Sequence, residues 1–117
     1  MNILFIHGNY PAQFRNISAG LGANIKNNVV YLTGKEGIIN DKITGVKVKR
    51  FKQHRKASNA VHEYLRETEE SVLQGQAVLR SIDNLATEGY VPQIVIFHGG
   101  MGHGLFLRDI LPNAIII

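Results

Sequence analysis

The chain has 117 residues, 44% of them hydrophobic, a formal net charge of +4 and a pI near 9.6. That is one domain, or part of one, able to bury a core and too apolar to be disordered. Without cysteine there is no disulfide framework, thiolate metal site or cysteine nucleophile. No apolar run approaches the ~20 residues that span a bilayer. Met1 leads into a strand-like run with no charged leader segment, and the expected setting is soluble and cytoplasmic.

In chain order, Asn2–Ile6 reads as a short, continuously apolar strand of the kind found at the buried centre of a parallel sheet. His7–Tyr10 follows as a loop, and Pro11 is suited to a first helical turn, where its missing N–H costs nothing. From Ala12, the residues Phe14, Ile17, Ser18 and Leu21 recur at helical spacing until Gly20, Gly22 and Asn24 weaken the pattern. Asn28–Thr33 is a second apolar strand, and Gly34 and Gly37 mark a turn. Gly45–Phe51 alternates apolar and basic, as on an edge strand whose lysines discourage further pairing.

A helix is expected from Ser58 to Thr87, with a seam of Val61, Leu65, Thr68, Val72, Gly75, Leu79, Ile82 and Ala86 widened by Leu73, Val78 and Leu85. At ~1.5 Å per residue it would run on the order of 45 Å, longer than a small sheet, so part of it should overhang. Gly75 within it is a kink or a close contact. Glycine and proline at Gly89 and Pro92 stop it. Strand Gln93–Phe97, helix Leu105–Leu111, a Pro112-Asn113 turn and strand Ala114–Ile117 complete the order βαββαβαβ. This argues for an α/β fold of Rossmann-like type, with a mainly parallel sheet flanked by helices. Ending on an apolar strand, the chain is expected to be the first part of something longer, or to have its last strand covered by a second copy.

Two strand ends carry the sequence His-Gly: His7-Gly8-Asn9 after the first strand and His98-Gly99-Gly100 after the fourth. In a doubly wound sheet the first and fourth strands are neighbours, and ligands bind beyond their carboxyl ends where the winding reverses. The two loops should therefore face each other across one crevice. Glycine permits close backbone approach, and helix starts at Ala12 and Leu105 would offer free N–H groups to an anion. Arg15, one turn into the first helix, can reach such an anion or stay solvated. Each histidine taken singly can equally cap a backbone carbonyl. His103 is read as facing solvent, and His54 and His62 as surface residues. The spacing of His98 and His103 fits no metal pair, and no third ligand is evident. The basic residues concentrated between Lys42 and Lys56 are either a solvated edge or an attraction for something anionic, including a phosphate or a membrane surface. Only Phe51 interrupts them, which speaks against nucleic acid.

Other signatures fail. Gly100-Met-Gly-His-Gly104 has Leu105 where a dinucleotide fingerprint needs its third glycine, and no Walker lysine follows. His98-Gly99-Gly100 is similar to the oxyanion loop of some hydrolases. Ser18, Ser58, Ser71 and Ser81, however, all fall in or at the start of helical stretches and offer no nucleophile elbow.

The segment Phe5-Ile-His-Gly-Asn-Tyr-Pro-Ala-Gln-Phe-Arg15 resembles the opening of a group of family 4 glycosyltransferases of GT-B architecture. Gly89–His98, Gly102, Leu105–Asp109 and Pro112 are similar to that group's later strand, His loop and short helix. The chain departs at Gly99, Met101 and His103, where the group usually carries proline, an aromatic and an acidic residue; this bears on acceptor identity. The resemblance implies a metal-independent, retaining transfer from a nucleotide sugar to an acceptor, with no cofactor. It implies that His98 lines the reacting centre and that His7, Gly8, Asn9, Arg15, Gly99 and Gly100 surround substrate and phosphates. A second Rossmann-like domain would hold most of the donor, so these 117 residues alone would be inactive. The alternatives from the residues themselves are a non-catalytic Rossmann-like binding or assembly module, and a hydrolase fragment.

Overall fold

A computed structural model describes all 117 residues. Five parallel strands form one sheet in the order β3-β2-β1-β4-β5. They are β1 (Asn2–His7), β2 (Asn28–Thr33), β3 (Val46–Arg50), β4 (Ile94–Phe97) and β5 (Ile115–Ile116). β1 is central, with Ile6 in register with Leu32 on one side and Phe97 on the other. The winding runs outward through β2 and β3, then crosses back to β4, so the reversal lies between β1 and β4. The expected α/β architecture is thus observed, with every strand pair parallel.

Strand alternation sends side chains to two cores. Leu4, Ile6, Val30, Leu32 and Val95 pack beneath α2 (Glu63–Thr87) and α3 (Leu107–Ile110), against Val78, Ile82, Leu85 and Leu107. Ile3, Phe5, Val29 and Tyr31 face the other layer, which holds Tyr10, Phe14 and Leu21 of the β1–α1 segment. There α1 spans Arg15–Gly22. It begins three residues later than the sequence suggests. Ala12–Phe14 is a single 3-10 turn, and Ala12 has φ of 47°, a left-handed conformation that cannot open an α-helix.

α2 is also shorter than expected at its start. It is capped by His62, whose Nδ1 accepts the Tyr64 N–H at 3.1 Å. At its end the Gly89 and Tyr90 amides donate to Ala86 and Leu85 at 2.9 and 2.8 Å, closing a Schellman motif with Gly89 at φ 89°. Its buried face is Leu73, Gly75, Ala77, Val78, Ile82 and Leu85. The expected seam is rotated: Leu65 is 55% exposed, and Thr68 and Ala86 are exposed. The first turns pass beyond the sheet, as the length argument requires. No helix is long and apolar enough to cross a membrane.

Candidate active site

β1 and β4 end side by side, and their backbones are laced together there. The His98 amide donates to the Ile6 carbonyl at 3.0 Å; on the other side of β1, the Gly34 amide just past β2 donates to the His7 carbonyl at 3.3 Å. The His7 and His98 rings face each other with centroids 4.6 Å apart and planes inclined by 35°. They line a cleft of about 370 Å³ with Gly8, Asn9, Gly34, Gln74, Met101 and His103. The two His-Gly loops therefore do meet across one crevice.

The β1 loop is held by its own backbone and by β2. His7 Nδ1 accepts the Asn9 N–H at 2.9 Å, and Asn9 Oδ1 accepts the Tyr10 N–H at 2.8 Å. From β2, the Tyr31 hydroxyl donates to the Pro11 carbonyl at 2.9 Å. A neutral His7 with Nδ1 as acceptor keeps its proton on Nε2. Burial, and then the neighbouring His98 ring, hold the His7 pKa below its ordinary value of 6.5. His98 makes no side-chain hydrogen bond within the chain, whereas His7 and His103 each have one. Its ring is thus free for a ligand.

His103 overturns its sequence reading. It is 1% exposed, enclosed rather than solvent-facing. Its ring stands 5.1 Å from the Phe51 ring, edge to face, and Nε2 lies 3.1 Å from Gln74 Oε1. The carbonyl-type oxygen of Gln74 can only accept, so Nε2 carries the proton and the buried Nδ1 is left without a partner. Burial, then the charges that His7 and His98 can carry, push its pKa down to about 4. It is a neutral wall of the cleft. The signal missed in the sequence was Gly102, at φ 85°. That turn folds the loop back against α2 and carries the next side chain inward.

A second glycine, on α2, makes this possible. A β-carbon on Gly75 would lie 2.8 Å from the Gly102 carbonyl oxygen and 3.1 Å from the Phe106 ring. One on Gly102 would collide with the Ser71 carbonyl. Gly75 is therefore a close contact, not a kink. Gly99 and Gly100 are exposed beside the cleft and do not line it. Arg15 is ion-paired with Asp41 and does not line it either. The expected anion-binding helix starts are absent: α1 begins past the crevice at Arg15, and α3, of four residues, has too few aligned peptides for a useful dipole. No three His, Asp or Glu side chains are placed to hold a metal ion. Of the serines, Ser18 is buried and its hydroxyl donates to the Arg15 carbonyl at 3.1 Å, while Ser71 and Ser81 lie within α2.

The comparison with known families adds one decisive observation. Residues 26–117 match the profile of the glycosyl transferase family 4 group. The chain belongs to that family. The matched span holds α2, Gly75, β4 and the His98–Gly104 loop, whereas β1 and His7 precede it. No curated protein and no solved structure matches the chain. This family 4 glycosyltransferase chain thus brings His98 to a crevice that its β1 loop completes.

Proposed function

We propose that the crevice is the acceptor-side half of a GT-B glycosyltransferase site, at which a sugar moves from a nucleotide sugar to an acceptor. The observation that carries this reading is the facing pair His7 and His98 at the switch point of a family 4 sheet. His98, whose ring makes no hydrogen bond inside the chain, lines the reacting centre. Gly8 and Asn9, both exposed, lie where backbone groups can approach the donor phosphates. In this reading the site stabilises charge on a leaving diphosphate and does not supply a nucleophile.

The cleft contains no Lys, Arg, Asp or Glu side chain. A diphosphate needs countercharge, so a second α/β domain would provide most of the donor contacts and the isolated 117 residues would not turn over. Transfer would be metal-independent and retaining. The outer edge of β5, where Ile115 and Ile117 are 60% and 66% exposed, would be covered by that further chain or by a second copy.

The test is a titration of the chain with UDP, UDP-glucose and GDP-mannose, following the ring signals of His7 and His98 by NMR. Shifts of both rings at millimolar ligand are expected, with His98→Ala weakening binding. Silence of both rings at 10 mM of every nucleotide would remove the preformed donor site.

A further inference from the structure

A second cavity, of about 780 Å³, opens beyond the carboxyl ends of β2 and β3. It shares Gly34 and Gln74 with the histidine cleft, so the two adjoin. Its character is opposite. Lys35, Arg50, Lys52, Arg55 and Lys56 line it against only Glu36 and Glu70.

These cations sit on a braced segment. Glu70 Oε1 accepts the Ala57 N–H at 2.5 Å and Oε2 accepts Gln53 Nε2 at 2.6 Å, tying residues 53–57 to α2. The Arg55 guanidinium pairs with Glu69 at 2.6 Å. Gln74 donates to Gln53 Oε1 and offers its own oxygen to His103. One hydrogen-bonded row, Glu70–Gln53–Gln74–His103, thus forms the wall common to groove and cleft. Arg50 is fixed as well: its two terminal nitrogens donate to the Lys35 and Gly37 carbonyls at 3.0 and 2.5 Å. Two of five guanidinium N–H groups are used, leaving three for a ligand. The chain's ion pairs are Arg15–Asp41, Lys49–Glu88 and Arg55–Glu69, so Lys35, Arg50, Lys52 and Lys56 have no carboxylate partner.

We infer that this groove is an acceptor subsite for a phosphate-class anion, a phosphate or pyrophosphate borne by the acceptor, with its sugar end directed into the histidine cleft. The assignment rests on the glycosyltransferase reading for the word acceptor, though not for the binding itself. Several uncompensated cations around one fixed guanidinium suit a multiply charged oxyanion better than a single carboxylate. The only hydrophobic lining residue is the buried Phe51, so the groove grips a headgroup and offers a lipid tail nothing.

Backbone amide shifts of the chain in low salt decide the matter, with inorganic pyrophosphate, D-glucuronate and geranyl pyrophosphate as probes. Pyrophosphate should move the amides of Gly34–Gly37 and Arg50–Lys56, and glucuronate should bind at least tenfold more weakly. Arg50→Gln should weaken pyrophosphate binding about tenfold. The double variant Lys52→Gln/Lys56→Gln, at exposed side chains without hydrogen bonds, should do so several-fold with the fold intact. Geranyl pyrophosphate should bind within twofold of pyrophosphate, as a groove that grips the headgroup alone requires; markedly tighter binding would place a tail site outside the groove and mark a lipid-borne source of the same phosphate. No groove shift at 10 mM pyrophosphate, or equal binding of glucuronate, overturns the proposal. Shifts confined to His7, Gly8 and Asn9 overturn it while leaving the donor reading standing. Groove shifts with pyrophosphate but silent imidazoles with UDP do the reverse.

Discussion

Burial holds two imidazoles of the crevice, His103 and His7, below their ordinary pKa, and this has consequences for stability. His103 falls from an ordinary 6.5 to about 4, chiefly through burial. Between those values the unfolded chain binds the proton and the folded chain does not. Its contribution is therefore fully present above pH 6.5 and is lost as pH falls toward 4, by up to about 3 kcal/mol. The depressed pKa of His7 acts in the same direction. Urea unfolding at pH 7.5, 6 and 5 should show this decline, and His103→Gln should flatten much of it. An unchanged slope in that variant would place the titration elsewhere. A bound diphosphate would act oppositely on His7, because an anion beside the ring favours its charged form. The His7 pKa should therefore rise when UDP is added, measured by NMR pH titration with and without the nucleotide. Tyr31→Phe should leave the Pro11 carbonyl without its donor and cost about 1–2 kcal/mol by chemical denaturation.

At the level of elements, the contact between α2 and the His98–Gly104 loop is where local propensity and tertiary packing disagree. Helix propensity alone predicts that Gly75→Ala stabilises α2 by about 1 kcal/mol. The added carbon would, however, lie 2.8 Å from the Gly102 carbonyl oxygen. Neither backbone can yield cheaply, since a β-carbon on Gly102 would itself strike Ser71. The net effect expected is destabilisation of about 1–3 kcal/mol, by thermal or urea unfolding, with His103 losing protection as the loop shifts. A more stable variant would show that the contact is loose. The same contact explains what was legible in the sequence. Strand order, parallel pairing and the meeting of His7 with His98 follow from apolar runs and winding rules, which need no side-chain detail. The inward turn of His103 and the rotated face of α2 do not, because both depend on a glycine-to-glycine approach between segments nearly thirty residues apart. The late start of α1 was hidden for a local reason: Pro11 suits a first helical turn, but Ala12 adopts φ 47° and breaks the run. The hydrogen bonds that brace residues 53–58 against Glu69 and Glu70 leave no periodic mark, so the basic stretch could be read as a solvated loop.

Across the whole molecule, the radius of gyration is 14.5 Å, against roughly 13 Å for a compact chain of this length. The longest axis is 49 Å, and α2 accounts for the excess, since 25 residues at ~1.5 Å rise outrun the five-stranded sheet. Residues 63–68 are exposed along this overhang, while Leu73, Ala77, Val78, Ile82 and Leu85 are 4% exposed or less. Local opening should therefore be graded within a single helix. Amide hydrogen exchange should be fast through Glu67 and Thr68 and slowest in β1, β2 and the Ala77–Leu85 segment. The ties from residues 55–58 to Glu69 and Glu70 should put the boundary between the two regimes near Glu69. Pyrophosphate should slow exchange just beyond that boundary, because it holds the same braced segment, and should leave residues 63–68 unaffected. Uniform protection along α2 would mean instead that its first turns are covered in solution. Exchange repeated at tenfold dilution would then separate cover by a second copy, which dilution removes, from a fold whose helix does not overhang.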